Sequence, residues 1–162
     1  MPSTSSQAHY KAVIASDDAA LTSLEYAALK QLHFDAVSVH DDDEMLHSIQ
    51  ADKPDLLILD AALPGSGAMA ACRRLREDPS TAALPIIMVT QKDDRSERIE
   101  ALETGADDCV TKPLDLDVMM AHIKAMARRA LQALSPAGVS GTLTAMFGAI
   151  FRSTAASRII PS

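Results

Sequence analysis

Residues 56–59 read Leu-Leu-Ile-Leu, and the run closes on an aspartate, Asp60. A strand that is apolar at every position offers no face to water. It belongs inside a sheet covered on both sides, which is the ordinary setting of parallel strands. Two other short runs, within 11–16 and 85–90, have nearly the same character. The pattern predicts strands over 11–16, 36–39, 55–59, 85–90 and 108–111. Each is followed by apolar residues at helical spacing, which predicts helices over 19–32, 42–50, 68–76, 93–104 and 115–134. Leu21, Leu24, Ala28 and Leu32 form the face of the first helix, and Met45, Leu46 and Ile49 that of the second. Pro64-Gly65 marks a turn and Gly105 stops the fourth helix. Five strand-then-helix repeats require parallel strands joined by right-handed crossovers. The fold class is therefore α/β, an open, doubly wound, five-stranded parallel sheet. Such sheets bind ligands beyond the C-terminal ends of their strands, near the switch in strand order.

That edge collects a particular set of polar residues. Asp17 and Asp18 follow the first strand, Asp60 ends the third, Thr90 ends the fourth, and Lys112 ends the fifth, just before Pro113. Packing does not call for three carboxylates in one place, because clustered anions repel one another. A bound cation removes the repulsion, and Mg2+, which prefers oxygen ligands, suits the set. Taken singly, Asp17 and Asp18 read equally well as helix caps, Thr90 as a β-former and Lys112 as a solvated cation. Together they define a candidate site. The acidic run 41–44 reads as solvated charge at a helix start, and the five histidines (His9, His33, His40, His47, His122) as structural or surface residues.

A chain of 162 residues with 48 % hydrophobic content supports one domain, and with only 3 % aromatics its core must be built from Ala, Leu, Ile, Val and Met. The formal charge of -7 argues against a sequence-independent grip on nucleic acid, which needs clustered Lys and Arg. Cys72 and Cys109 have no metal-type spacing and suit a reducing compartment. Neither a signal peptide nor a membrane-length apolar run is expected, so the expected location is the cytoplasm. The expected organisation is a disordered tail over 1–9, a domain over 10–134, and a linker with an amphipathic helical extension and tail over 135–162. The extension's stripe is Leu143, Met146, Phe147, Ile150 and Phe151. Packing back on the domain is expected ahead of docking to a partner groove, and a membrane surface ranks last.

Five short motifs occur in order at strand ends: Ser16-Asp17-Asp18, Leu57-Ile58-Leu59-Asp60, Leu63-Pro64-Gly65, Met88-Val89-Thr90, and Gly105-Ala106-Asp107-Asp108 continuing to Thr111-Lys112-Pro113. From Tyr10 to Ala133 the chain resembles the response-regulator receiver domains of two-component systems, in the chemotaxis-regulator-like superfamily. The resemblance implies a flavodoxin-like strand order 2-1-3-4-5, with Asp60 as phospho-acceptor. Mg2+ would be held by Asp17, Asp18, Asp60 and the backbone carbonyl of Ala62. Lys112 and Thr90 would bind phosphoryl oxygens, and the Lys112–Pro113 peptide would be cis. The implied partners are a histidine kinase or histidine phosphotransfer protein. Output would pass to a protein target, or to self-association, through the face of helix 4, strand 5 and helix 5, without direct nucleic-acid contact. Such a phosphoprotein is an acceptor in a phosphorelay rather than an enzyme; at most it catalyses its own phosphoryl uptake and loss.

Four positions depart from the family pattern. Cys109 stands where the family carries Tyr or Phe, the ring that turns with Thr90 in the usual switch, and this implies a weak or altered switch. Ala62 and Lys92 are read as slowing loss of the phosphoryl group, and Ala68 replaces a usual glycine. Cys109, Ala62 and Ala68 support an alternative, an interaction module that keeps the receiver fold without using phosphate, and the intact Asp17, Asp18, Asp60, Thr90 and Lys112 set opposes it. An aspartate-nucleophile phosphatase of the haloacid-dehalogenase type is disfavoured, because it needs a second Asp where Ala62 stands.

Overall fold

Strands β1 (Tyr10–Ala15), β2 (Phe34–Val39), β3 (Leu56–Asp60), β4 (Ile86–Thr90) and β5 (Asp108–Thr111) form one parallel sheet in the order β2-β1-β3-β4-β5. Helices α1 (Ala19–Gln31), α2 (Asp42–Asp52), α3 (Ala68–Glu77), α4 (Arg95–Glu103) and α5 (Leu116–Ala133) alternate with them. This computed structural model describes residues 10–91 and 94–133. The tail over 1–9, Lys92 and the extension beyond residue 133 lie outside the described residues. The doubly wound α/β class is the one the pattern predicts, and the flavodoxin-like strand order is the one the resemblance implies.

Alternation along the strands builds two cores. Ala12 and Ile14, Leu56 and Ile58, Ile87 and Val89 point to one face, where Leu21, Ala28 and Leu29 of α1 meet Met119, Ile123 and Met126 of α5. Val13 and Ala15, Leu57 and Leu59, Ile86 and Met88 point to the other, under Met45 and Ile49 of α2, Ala71, Cys72 and Leu75 of α3, and Ala101 of α4. All five residues of β3 and all five of β4 are buried, because helices cover both faces of these inner strands. Among the described residues no helix is long and apolar enough to cross a membrane.

The structure moves some boundaries for identifiable reasons. β2 starts at Phe34 rather than Ala36: His33 adopts a left-handed conformation (φ 69) after α1, and Phe34 then pairs with Tyr10 and packs its ring, tilted by 38°, against the tyrosine ring. β3 starts one residue later than expected, because Asp55 uses its side chain to accept the N–H of Lys11. α4 begins at Arg95, where Asp94 caps it by accepting the N–H of Glu97 at 2.8 Å.

Candidate functional site

Connections from β1 and β3 leave in opposite lateral directions, since β1 is followed by its neighbour β2 and β3 by β4. The switch in strand order therefore falls between β1 and β3, and Asp60 sits there as the last residue of β3, 3 % exposed. Its alternation follows Leu56 and Ile58, so its carboxylate emerges on the α1/α5 side. Ser16 donates its hydroxyl to Asp60 Oδ2 at 2.9 Å, and the Ala62 N–H donates to Oδ1 at 3.0 Å. Lys112 Nζ lies 3.4 Å from each carboxylate oxygen. A buried carboxylate thus has four neighbouring donor contacts but remains at the rim of the sheet.

Asp18 caps its helix, one of the two roles read for it, and also faces Lys112. Its Oδ1 caps α1 by accepting the N–H of Leu21 at 3.1 Å, while Oδ2 stands 4.0 Å from Lys112 Nζ. Its own N–H donates to Ser16 Oγ, which links the β1–α1 turn to Asp60. Asp17 is exposed beside it. Lys112 precedes a cis peptide to Pro113, as the resemblance implies. Ala62 is exposed, and Leu63 N–H bonds back to the Asp60 carbonyl at 3.0 Å, closing a tight turn.

Thr90 is at the same edge but turned away. Fully buried at the end of β4, its hydroxyl lies 3.5 Å from the Val110 carbonyl and 3.4 Å from Thr111 Oγ1. Cys109, half-buried on β5, donates its thiol to the Arg98 carbonyl of α4 at 3.7 Å. Burial, helped by Asp108, pushes that thiol up to about 11. Ala68, at the start of α3, is buried; positive φ values fall on Gly65 and Gly67 before it, so the missing glycine leaves the turn intact.

Two residues are more important than the sequence reading allowed. Asp42, within the run read as solvated charge, is only 5 % exposed. Its Oδ2 accepts the backbone N–H of Ser66 at 3.0 Å and the Ser66 hydroxyl, and its own N–H bonds to the Pro64 carbonyl. These bonds hold its carboxyl below the usual range and pin the loop that follows Ala62. Glu25, on the inner face of α1, is 1 % exposed, and among the described residues neither of its oxygens has a hydrogen-bond partner. Burial pushes its carboxyl up to about 8; Asp60 adds to the rise, Lys112 opposes it and Asp18 adds a little more. Glu25 lies four residues after Leu21 and three before Ala28, so the apolar stripe placed it inward, but its charge hid it.

Among the described residues, no three carboxylate, imidazole or thiol side chains converge closely enough to enclose a metal unaided. Mg2+ does not require that, since it keeps several waters and takes one or two carboxylates. The donors here are oxygens, and two carboxylates, Asp18 and Asp60, share one ammonium, Lys112, with Asp17 exposed beside them. That charge excess and donor chemistry fit a hard divalent cation.

A doubly wound sheet with a buried aspartate at its switch point and a lysine on the carboxylate defines a class of α/β signalling domain. The chain belongs to the response-regulator receiver family: the family's receiver-domain profile matches residues 12–124. It is 44 % identical over 120 residues to the phosphate regulon transcriptional regulatory protein PhoB of Rhizobium meliloti, covering 74 % of this chain and 53 % of that protein. It is 33 % identical over 102 residues to the response regulator PleD of Caulobacter vibrioides, covering 63 % of this chain and 22 % of PleD. The chain thus spans about half, or less, of the length of these relatives. Among solved structures, the beryllofluoride-activated receiver domain of Klebsiella pneumoniae RstA superposes with a TM-score of 0.65 at 33 % identity, over 72 % of this chain and 97 % of that one.

Proposed function

We propose that the chain accepts a phosphoryl group on Asp60 from a histidine kinase or histidine phosphotransfer protein, with Mg2+, and acts through protein contact in the cytoplasm. The observation that carries this reading is the Asp60 carboxylate itself: buried, at the switch point, and flanked by Ser16, the Ala62 N–H and Lys112. An Asp60 oxygen attacks the phosphorus of a phosphohistidine, the P–N bond breaks, the imidazole leaves with the bonding pair and takes a proton, and an acyl phosphate forms. Lys112 stays beside the acceptor and offsets charge on the transferred group. Thr90 reaches that group only after its hydroxyl turns from Val110. Asp17, Asp18, Asp60 and the Ala62 carbonyl would hold Mg2+, which when bound supplies positive charge against the phosphoryl oxygens.

The chain is an acceptor rather than an enzyme with a free product. Exposed Ile99 and Leu102 of α4 and Val118 of α5 supply apolar surface for a protein target or a second copy. The match covers only about half of the relative named for transcription, and the formal charge of -7 gives this chain no general hold on nucleic acid.

Incubation with acetyl phosphate and Mg2+, followed by intact mass measurement, tests the proposal. The expected result is a gain of one phosphoryl group, lost with Asp60→Asn. Absence of any gain under conditions that load a known receiver sinks it and leaves the phosphate-independent interaction module.

A further inference from the structure

Glu25 has no part in the acceptor chemistry just described. It is nonetheless the one carboxylate among the described residues whose two oxygens are both buried and without a hydrogen-bond partner. Leaving such a group unbonded in a core is destabilising, and an apolar residue of similar shape would serve packing better. Its helix neighbours Leu21, Ala28 and Leu29 show what packing asks for at this face, since all three join Met119 and Ile123 in one apolar cluster. Asp60 follows the strand register of Leu56 and Ile58 to the side of the sheet that α1 covers, and Glu25 is buried on that helix. The charged groups whose field it feels are those of the site and come from three elements: Asp60 of β3, Lys112 after β5, and Asp18 before α1. It is seven residues from Asp18 and bonded to none of the proposed cation ligands.

We propose that Glu25 is a positioning residue of the acceptor site, a buried inner carboxylate whose charge strengthens the hold on the divalent cation and on Lys112 without touching either. The inference rests on the reading of Asp60 as a cation-dependent phosphoryl acceptor. Physically, a charge inside the low-dielectric layer acts on the site with little screening, whereas the exposed Asp17 and half-exposed Asp18 are screened by water. Ionised Glu25 adds to the negative potential that a cation meets. Neutral Glu25 leaves the site to the other carboxylates, and the high carboxyl range of this residue places the change near neutral pH.

Mg2+ titrations of the full chain by calorimetry, at pH 6 and pH 8.5, compare wild type with Glu25→Gln and Glu25→Met. Both variants keep the volume of the side chain, and circular dichroism confirms their fold. Exposed Glu77→Gln on α3 is the control for loss of a carboxylate elsewhere. The expected result is Mg2+ affinity at pH 8.5 weaker by ~10-fold in both Glu25 variants, and a much smaller difference at pH 6. Acetyl phosphate uptake at limiting Mg2+ falls in parallel and recovers at saturating Mg2+. Wild-type affinity in Glu25→Gln at both pH values overturns the inference while the acceptor reading stands. Equal weakening at both pH values also overturns it, because the effect is then one of shape. A wild-type protein that binds no Mg2+ and takes up no phosphate overturns the acceptor reading, and this inference with it.

Discussion

Replacing Glu25 by Gln should remove most of the pH dependence of stability between pH 5 and pH 8. In the metal-free protein the Glu25 carboxyl is raised from 4.5 to about 8, chiefly by burial. The folded state therefore binds more protons than the unfolded state throughout that interval, and stability is lost as pH rises. The contribution is fully present below the unfolded value and gone above the folded one. Its slope is about 1.4 kcal/mol for each pH unit, or roughly 4 kcal/mol from pH 5 to pH 8. For a domain whose whole stability is ~5–15 kcal/mol this is a large fraction. With a urea m-value of ~2 kcal/mol/M it moves the denaturation midpoint by about 2 M. Other displaced groups among the described residues change outside the interval. The carboxyls of Asp42 and Asp78 are lowered, so their contribution falls only in acid, while Cys109 near 11 and Tyr10 near 12 act in alkali. Urea curves with EDTA, followed by circular dichroism because the chain has no Trp, provide the measurement. Wild type should weaken steadily with pH while Glu25→Gln stays nearly level. Parallel slopes in the two proteins would refute a buried, proton-holding Glu25.

Other outcomes follow from local geometry. Gly65 has φ +114, and an added Cβ would stand 1.9 Å from Asp42 Oδ1, so Gly65→Ala should cost about 2–3 kcal/mol in urea denaturation, with part recovered when Asp42 is also replaced by Gly. Cys72 is buried with its thiol raised, and Cys109 is raised to about 11, so a colourimetric thiol reagent at pH 8 should react slowly with native protein and quickly with both cysteines in urea. α4 buries only Ala101 within its span, whereas α1 buries four residues; hydrogen exchange should be faster in α4 amides than in those of α1, and equal protection would contradict the weak anchoring.

The sheet was legible because its inner strands are covered on both faces, which turns burial into uninterrupted apolar runs such as Leu56–Leu59. β2 was harder to delimit. It is an edge strand with exposed Asp35, Val37 and Ser38, so its pattern is broken, and its true start depends on the left-handed turn at His33. The positions of Asp60, Asp18 and Lys112 follow from strand ends meeting at one edge, a matter of topology that order in the chain conveys. Asp42 and Glu25 were missed for a shared reason. A charged residue in a helix is read as solvent-facing, and only the tertiary structure shows that one meets a loop's N–H groups and the other an apolar layer.

The same geometry bears on how an event at Asp60 could reach the outer surface. Thr90 makes long contacts with Val110 and Thr111, at 3.5 and 3.4 Å, and such contacts are weak. Turning its hydroxyl toward Asp60 therefore forfeits little. The next link is different, because Cys109 has a small side chain whose rotation changes little volume. It does, however, touch the Arg98 carbonyl, and that carbonyl belongs to α4, a nine-residue helix with one buried residue. Among the described helices, α4, with its exposed Ile99 and Leu102, is therefore the one that the least force displaces. The small residue at position 109 thus leaves β5 in touch with α4 through the Arg98 carbonyl rather than through a packed ring.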